Sequence, residues 1–155
     1  MSAPKRIVFV CTGNICRSAM AEHLLRHWAA RRGLELETSS CGTAAESWYE
    51  MPAAARRMLE AEGVTGVAHK ARLATRATLK EGDLILAMTQ AHFEHIVERF
   101  PEFASRTRLF REQAGFGEQD VDDPMGKPDA EFARCMSVLK ETLEALLRSG
   151  FRDPA

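Results

Sequence analysis

Apolar positions along the chain fall into two kinds of pattern, short continuous runs and helical stripes. Ile7-Val8-Phe9-Val10 is an unbroken run rich in β-branched residues, as in a parallel strand covered on both faces. Beyond Ser18, residues Ala21, Leu24, Leu25, Trp28 and Ala29 recur at i, i+3, i+4, i+7 and i+8. They form one stripe of an amphipathic helix, stopped by Gly33. Leu34 and Leu36 alternate with Glu35 and Glu37, which predicts a strand with one wet face. Pro52 can open a second helix that turns Ala55, Met58 and Leu59 inward and ends at Gly63. Leu84 to Met88 repeats the buried-strand pattern after a Gly82-Asp83 turn, and Phe93, Ile96, Val97 and Phe100 mark a helix stopped by Pro101. A short strand is expected over 107–110. Gly115 to Pro128 holds three Gly and two Pro and reads as an ordered loop too long for a mere connector. Phe132, Met136, Leu139, Leu143 and Leu146 share one face of a closing helix. This β-α alternation predicts a single α/β domain over residues 1–155. Its sheet is expected to be doubly wound, mostly parallel and four-stranded, with helices on both faces.

Composition narrows the function classes. With 155 residues, 45% hydrophobic and 28% charged, the chain is that of an ordinary globular protein. Lys and Arg number 21 against 22 Asp and Glu, for a net charge of −1. No broad basic field exists to hold a nucleic-acid backbone or an anionic membrane, so neither is expected as a partner. Apolar runs stay far below the roughly 20 residues of a membrane span, and no signal-peptide core is visible. A cytoplasmic location with reduced thiols is the expectation. Cys11, Cys16, Cys41 and Cys135 are too few for a disulfide scaffold. His23 and His27 stand at i, i+4 spacing but lack Cys or carboxylate partners in a metal-site pattern, so no metal or organic cofactor is expected.

Open α/β sheets bind ligands at the carboxyl ends of their strands. After the first strand that place is taken by Cys11-Thr12-Gly13-Asn14-Ile15-Cys16-Arg17-Ser18, which turns directly into a helix. Backbone N–H groups of such a loop can curl around an anion, and the helix dipole adds positive potential there. Gly13 and Asn14 tolerate the positive φ angles a nest requires. The planar fork of Arg17 suits two phosphate oxygens at once. The same field favours a nucleophilic thiolate at Cys11, and Ser18 could donate a hydrogen bond to it.

The string Cys-Thr-Gly-Asn-Ile-Cys-Arg-Ser close to the amino terminus resembles the low-molecular-weight protein tyrosine phosphatase family, and matching elements extend over nearly the whole chain. The resemblance implies hydrolysis of phosphate monoesters through a phosphocysteine on Cys11, with Arg17 and the loop Thr12 to Ser18 binding phosphate. In Asp122-Asp123-Pro124-Met125-Gly126 it implies Asp123, the residue before Pro, as general acid and then base, with Asp122 the rival. Ser40 and His69 match positions that support the loop, His69 by bonding Asn14. Trp48 and Tyr49 match an aromatic border of the substrate slot, which Ile15 and Met125 also line. Met125 stands where the family usually has Tyr or Phe.

Ile15 is similar to the tyrosine-selective members, whereas the arginine branch has Thr at that position. Leu86-Ala87-Met88-Thr89 and the opening Cys-Thr-Gly-Asn lean toward the arginine branch. Phosphotyrosine on a phosphoprotein is therefore the expected substrate and phosphoarginine the alternative. Inorganic phosphate and other oxyanions are expected as product or inhibitors. A thiol-linked arsenate reductase would need relay cysteines between Asp83 and Phe100, where there are none. A silent phosphate-binding module would need a lost nucleophile or acid. Cys16, five residues after Cys11, is the expected redox partner of Cys11 under peroxide, and a monomer or weak dimer is expected.

Overall fold

Four strands, β1 (Arg6–Cys11), β2 (Glu37–Gly42), β3 (Leu84–Ala87) and β4 (Thr107–Leu109), pair in the order β2-β1-β3-β4 in the computed structural model. Every pair is parallel. The structure describes residues 3–154, so positions 1, 2 and 155 of the expected domain lie outside the described residues. The continuous apolar run of β1 has its physical reason in two cores. Ile7, Phe9 and Cys11 pack on one face of the sheet with Leu84 and Leu86, while Val8, Val10 and Ile85 pack on the other. A strand with both faces covered cannot alternate apolar with polar.

Helices α1 (Arg17–Arg31), α2 (Ala53–Ala61) and α6 (Asp129–Ser149) cover the first face with Leu24, Leu25, Ala55, Leu59, Leu139 and Leu143. The four-residue helix α3 (Arg76–Leu79) and α4 (Gln90–Arg99) lie with Leu79 and Ile96 in the second core. A 3-10 turn, Pro101–Arg106, precedes β4, and a short α5 (Phe110–Gln113) follows it. The doubly wound sheet with helices on both faces is as expected, and it is wholly parallel.

Two local expectations change. Leu34 to Leu36 form no strand: Leu34 is 44% exposed, and its N–H closes the end of α1 on Ala29 O. Pairing with β1 starts only where Glu37 N–H meets Lys5 O. The strand that forms, Glu-Thr-Ser-Ser-Cys-Gly, carries no apolar signal of its own and is specified by its neighbour. On α4 the buried positions are His92 and Ile96, whereas Phe93 and Val97 stay half-buried. The helices at 76–79 and 110–113 and the 3-10 turn have no hydrophobic periodicity and were not expected.

Strand order places the site. β1 is flanked by β2 on one side and β3 on the other, so a crevice opens at the carboxyl ends where the winding reverses. Cys11 ends β1 there, opposite Gly42 of β2. A Cβ on Gly42 would stand 2.9 Å from Asn14 N and collide with Thr12 O, so only glycine lets β2 close against the loop.

Candidate active site

Residues 11–18 leave β1, turn once and enter α1 at Arg17. The turn depends on Asn14, which is fully buried with φ 57. Gly13, also expected at positive φ, does not take it; a Cβ there would meet only Ile15 and Tyr49 at ordinary contact distances. Asn tolerates the left-handed region when its side chain is locally bonded. Here every polar group of that side chain is used. Nδ2 donates to Ser18 Oγ (2.9 Å) and to Ser40 Oγ (2.7 Å), and Oδ1 accepts from Arg72 N (2.9 Å). The Asn14 carbonyl accepts from His69 Nε2 at 2.6 Å.

Both hydroxyls that Asn14 meets keep their own protons for another acceptor. Because Ser18 Oγ already accepts from Asn14, its proton is free for Cys11 Sγ, 2.9 Å away. Ser40, also accepting from Asn14, passes its proton to the carboxylate of Glu22, a buried acid on α1. Ser18 can therefore donate to the Cys11 sulfur, which is 2% exposed at the floor of the loop. Burial pushes the thiols of Cys41 and Cys135 up to about 12 and raises that of Cys16 further, leaving all three protonated. Cys41 packs in the second core, across the sheet from Cys11.

Arg17 is buried beside the loop. Its Nη1 donates to Val121 O at 3.0 Å, its Nη2 lies 3.5 Å from Asp123 Oδ2, and its Nε has no partner among the described residues. An unpaired buried donor in a folded protein asks for a ligand or water that supplies the acceptor. Asp123 is half exposed and accepts Met125 N–H at its other oxygen. Asp122 is exposed, with no ion pair among the described residues. The loop carrying both is tied to the sheet by Val121 N–H to Met88 O and to α4 by Gln90 N–H to Asp120. Tyr49 lies against Gly13 and meets Trp48 edge-on, with ring centroids 5.9 Å apart. Trp48 (71% exposed), Tyr49 (38%) and Met125 (43%) leave large apolar surface in water.

Two histidines take part that sequence reading did not single out for the loop. His92 on α4 stands between Thr89 Oγ1 (3.0 Å) and Thr12 Oγ1 (2.8 Å). Burial and the nearby Arg17 lower it to about 4, so it is neutral. His23 faces His69 rather than His27, at 2.9 Å. Glu22, His23 and His69 bring donor atoms within 4.8 Å of one another, a cluster absent from the sequence expectation. The cluster is already satisfied from within, since Arg26 bonds both Glu22 and His23. Glu22 and Arg72 were also missed; a carboxylate adjoining the apolar stripe of α1 was the one available signal.

A family model described as low molecular weight phosphotyrosine protein phosphatase matches residues 6–153. A protein-arginine-phosphatase of Geobacillus stearothermophilus is 32% identical, over 92% of this chain and 94% of its own. The low molecular weight protein-tyrosine-phosphatase Wzb of Escherichia coli K12 is likewise 32% identical, over 88% of each chain. The solved low molecular weight protein tyrosine phosphatase of T. tengcongensis superposes with a TM-score of 0.88 at 32% identity, covering 93% of this chain and 98% of that one.

Proposed function

The chain belongs to the low molecular weight phosphotyrosine protein phosphatase family, and from that premise we propose that it hydrolyses protein phosphotyrosine through a phosphocysteine on Cys11. One observation carries the reading: the buried Cys11 sulfur lies 2.9 Å from the Ser18 hydroxyl, beside a buried Arg17 whose Nε has no partner among the described residues. Residues Thr12 to Ser18 and the Arg17 fork hold the phosphate oxygens, where N–H groups and a helix terminus stabilise added charge. The Cys11 thiolate attacks phosphorus; the S–P bond forms while the ester O–P bond breaks. Asp123 gives its proton to the leaving phenolate. Its carboxylate then takes a proton from water, whose oxygen attacks phosphorus and expels the thiolate. Inorganic phosphate leaves. The Ser18 donor eases that expulsion because it stabilises the departing sulfur anion.

Among the two acids, Asp123 is preferred because it alone lies against Arg17. Ile15, Trp48, Tyr49 and Met125 offer an apolar border suited to a planar phenyl ring, and Ile15 has no polar group to meet a guanidinium. Phosphoarginine is the second reading, favoured by the arginine phosphatase of Geobacillus stearothermophilus at the same 32% identity as the tyrosine phosphatase of Escherichia coli. The two substrates are compared directly on phosphorylated proteins. Faster release from phosphotyrosine is expected, and faster release from phosphoarginine overturns the preference. Capture of a phosphoprotein by Cys11→Ser or Asp123→Ala, with no turnover by Cys11→Ser, tests the mechanism itself.

The reading extends to redox control. Peroxide converts the Cys11 thiolate to a sulfenic acid, and Cys16, in the same core cluster, displaces water from it to close a disulfide. A cytoplasmic monomer or weak dimer, acting on phosphoproteins without nucleic acid or membrane, completes it. No helix among the described residues is long and apolar enough to cross a membrane.

A further inference from the structure

Four groups stand in line behind the phosphate loop: Arg26 Nη1 and His23 Nδ1 at 3.3 Å, His23 Nε2 and His69 Nδ1 at 2.9 Å, His69 Nε2 and Asn14 O at 2.6 Å. The two ends of this line are chemically one-sided. A guanidinium only donates, and a backbone carbonyl only accepts. His69 must therefore carry its proton on Nε2, which leaves Nδ1 bare as an acceptor. His23 must then present Nε2–H to it and keep its own Nδ1 bare for Arg26. Every bond in the line is satisfied when each ring holds one proton and in one tautomer only.

We propose that His23 is a positioning residue of this enzyme: through His69 it fixes the tautomer that holds the Asn14 carbonyl, and so keeps the phosphate loop in its binding shape. The inference deepens the phosphatase reading and rests on it for its kinetic consequence. Asn14 is the residue at positive φ on which the loop turns; Ser18, Ser40 and Arg72 hold its side chain, whereas its carbonyl is held by His69. If His69 lost the His23 donor, its Nδ1 would be left bare and the Asn14 carbonyl alone would hold the Nε2–H tautomer. In whatever fraction takes the other tautomer, a bare Nε2 faces the Asn14 oxygen, lone pair against lone pair, and the bond is lost. An extra proton on His23 Nδ1 would break the far end of the line, because it sets N–H against the Arg26 N–H. Burial guards against that proton: it lowers His23 to about 4, with His69, Arg26 and Arg56 of α2 acting in the same direction against Glu22.

Substitution separates this role from mere packing. In His23→Gln, the amide Nε2–H can donate to His69 while the amide oxygen accepts from Arg26, so the line is kept. In His23→Leu, volume is kept and both bonds are removed. For His23→Leu the expected result is a KM for para-nitrophenyl phosphate and a dissociation constant for inorganic phosphate raised about five- to tenfold, the worth of one buried hydrogen bond. The kcat should change less than about twofold, since the nucleophile and acid are untouched. His23→Gln is expected to return both constants to within about twofold of the parent protein.

A readout independent of turnover accompanies these constants. Long-range proton–nitrogen spectra of the imidazoles should show His69 as the Nε2–H tautomer in the parent protein and in His23→Gln. An Nδ1–H tautomer in the parent protein overturns the proposal even if His23→Leu fails to fold. So does an unchanged phosphate constant in His23→Leu, or a His23→Gln no better than His23→Leu. A correct tautomer in a protein that releases no phosphate from any ester would instead sink the phosphatase reading and leave the hydrogen-bonded line standing.

Discussion

The two halves of the site are built on opposite principles. Residues 11–18 turn on the buried Asn14, whose side-chain and carbonyl bonds reach into β2, α1 and the segment 69–72. Residues 115–128 carry Asp123 on an exposed loop with Gly115, Gly117 and Gly126 at positive φ. That loop is pinned at a few points, chiefly Val121, Asp120 and the bond of Arg111 to Gln119. An oxyanion cradle must already have its shape when the ligand arrives, because its worth lies in donors that need no reorganisation. An acid that protonates a departing group must let substrate in and product out. Rigid binding and accessible proton transfer are thus allotted to different parts of the chain, and Arg17 touches both.

Breaking the nucleophile should give the largest effect. Cys11→Ser is expected to lower para-nitrophenyl phosphate turnover at least about 10⁴-fold while phosphate binding persists; steady-state kinetics beside calorimetry checks both halves of the statement. Next comes the acid. Asp123→Asn should cost about 10²- to 10⁴-fold in kcat, and more on aryl phosphates with poor leaving groups. Its denaturant midpoint should hardly move, because the side chain is half exposed. Asp122→Asn is the control, and an equal kcat loss there would reverse the assignment.

Asn14→Ala sharpens the contrast, since in the buried half activity and stability should fail together. It leaves Ser18, Ser40 and Arg72 N short of a partner and puts alanine at φ 57. A stability loss of about 2–4 kcal/mol is expected, read from urea unfolding, together with weaker phosphate binding. Asn14→Gly relieves the backbone alone, so the residual loss reports the side-chain bonds.

The smallest effect concerns pH. His23 and His92 fall from an ordinary 6.5 to about 4 in the fold. Between those values the unfolded chain binds more protons, so stability is complete above 6.5 and declines as pH drops toward 4. Urea midpoints measured from pH 7 to pH 4.5 should fall accordingly. In His92→Gln the slope should shrink by up to one proton, whereas an unchanged slope would mean that His92 is not a buried neutral base.

Legibility along the chain followed hydrophobic burial. β1, β3, α1, α2 and α6 were visible because each buries a run or a stripe of apolar side chains. β2 was misplaced by a few residues because its polar segment, Glu37–Gly42, is held by pairing to β1, by the bond of Thr38 to α1 and by Ser40 and Gly42 against the loop. The string from Cys11 to Ser18 and the Asp122-Asp123-Pro124 run marked the candidate chemistry, since both lie local in sequence. His23, Arg72 and His92 gave no such mark. His92 meets Thr12 and Arg72 meets Asn14 across a long sequence separation, and His23 reaches the loop only through His69.

The sequence by itself determined a parallel α/β sheet and a cysteine-centred anion loop at the end of its first strand, because burial period and local turn chemistry act over a few residues. Ser40 and His69 were marked by the family resemblance, but only the tertiary structure decided what else holds that loop and how the supports join. Its supports, Glu22 and His23 from α1, Ser40 from β2, His69 and Arg72 from the segment before α3 and His92 from α4, are brought together by the packing of elements far apart in the chain. Near-neutral net charge remained compatible with an anionic ligand for the same reason: one phosphate asks for a few fixed donors, and the fold supplies them at one point.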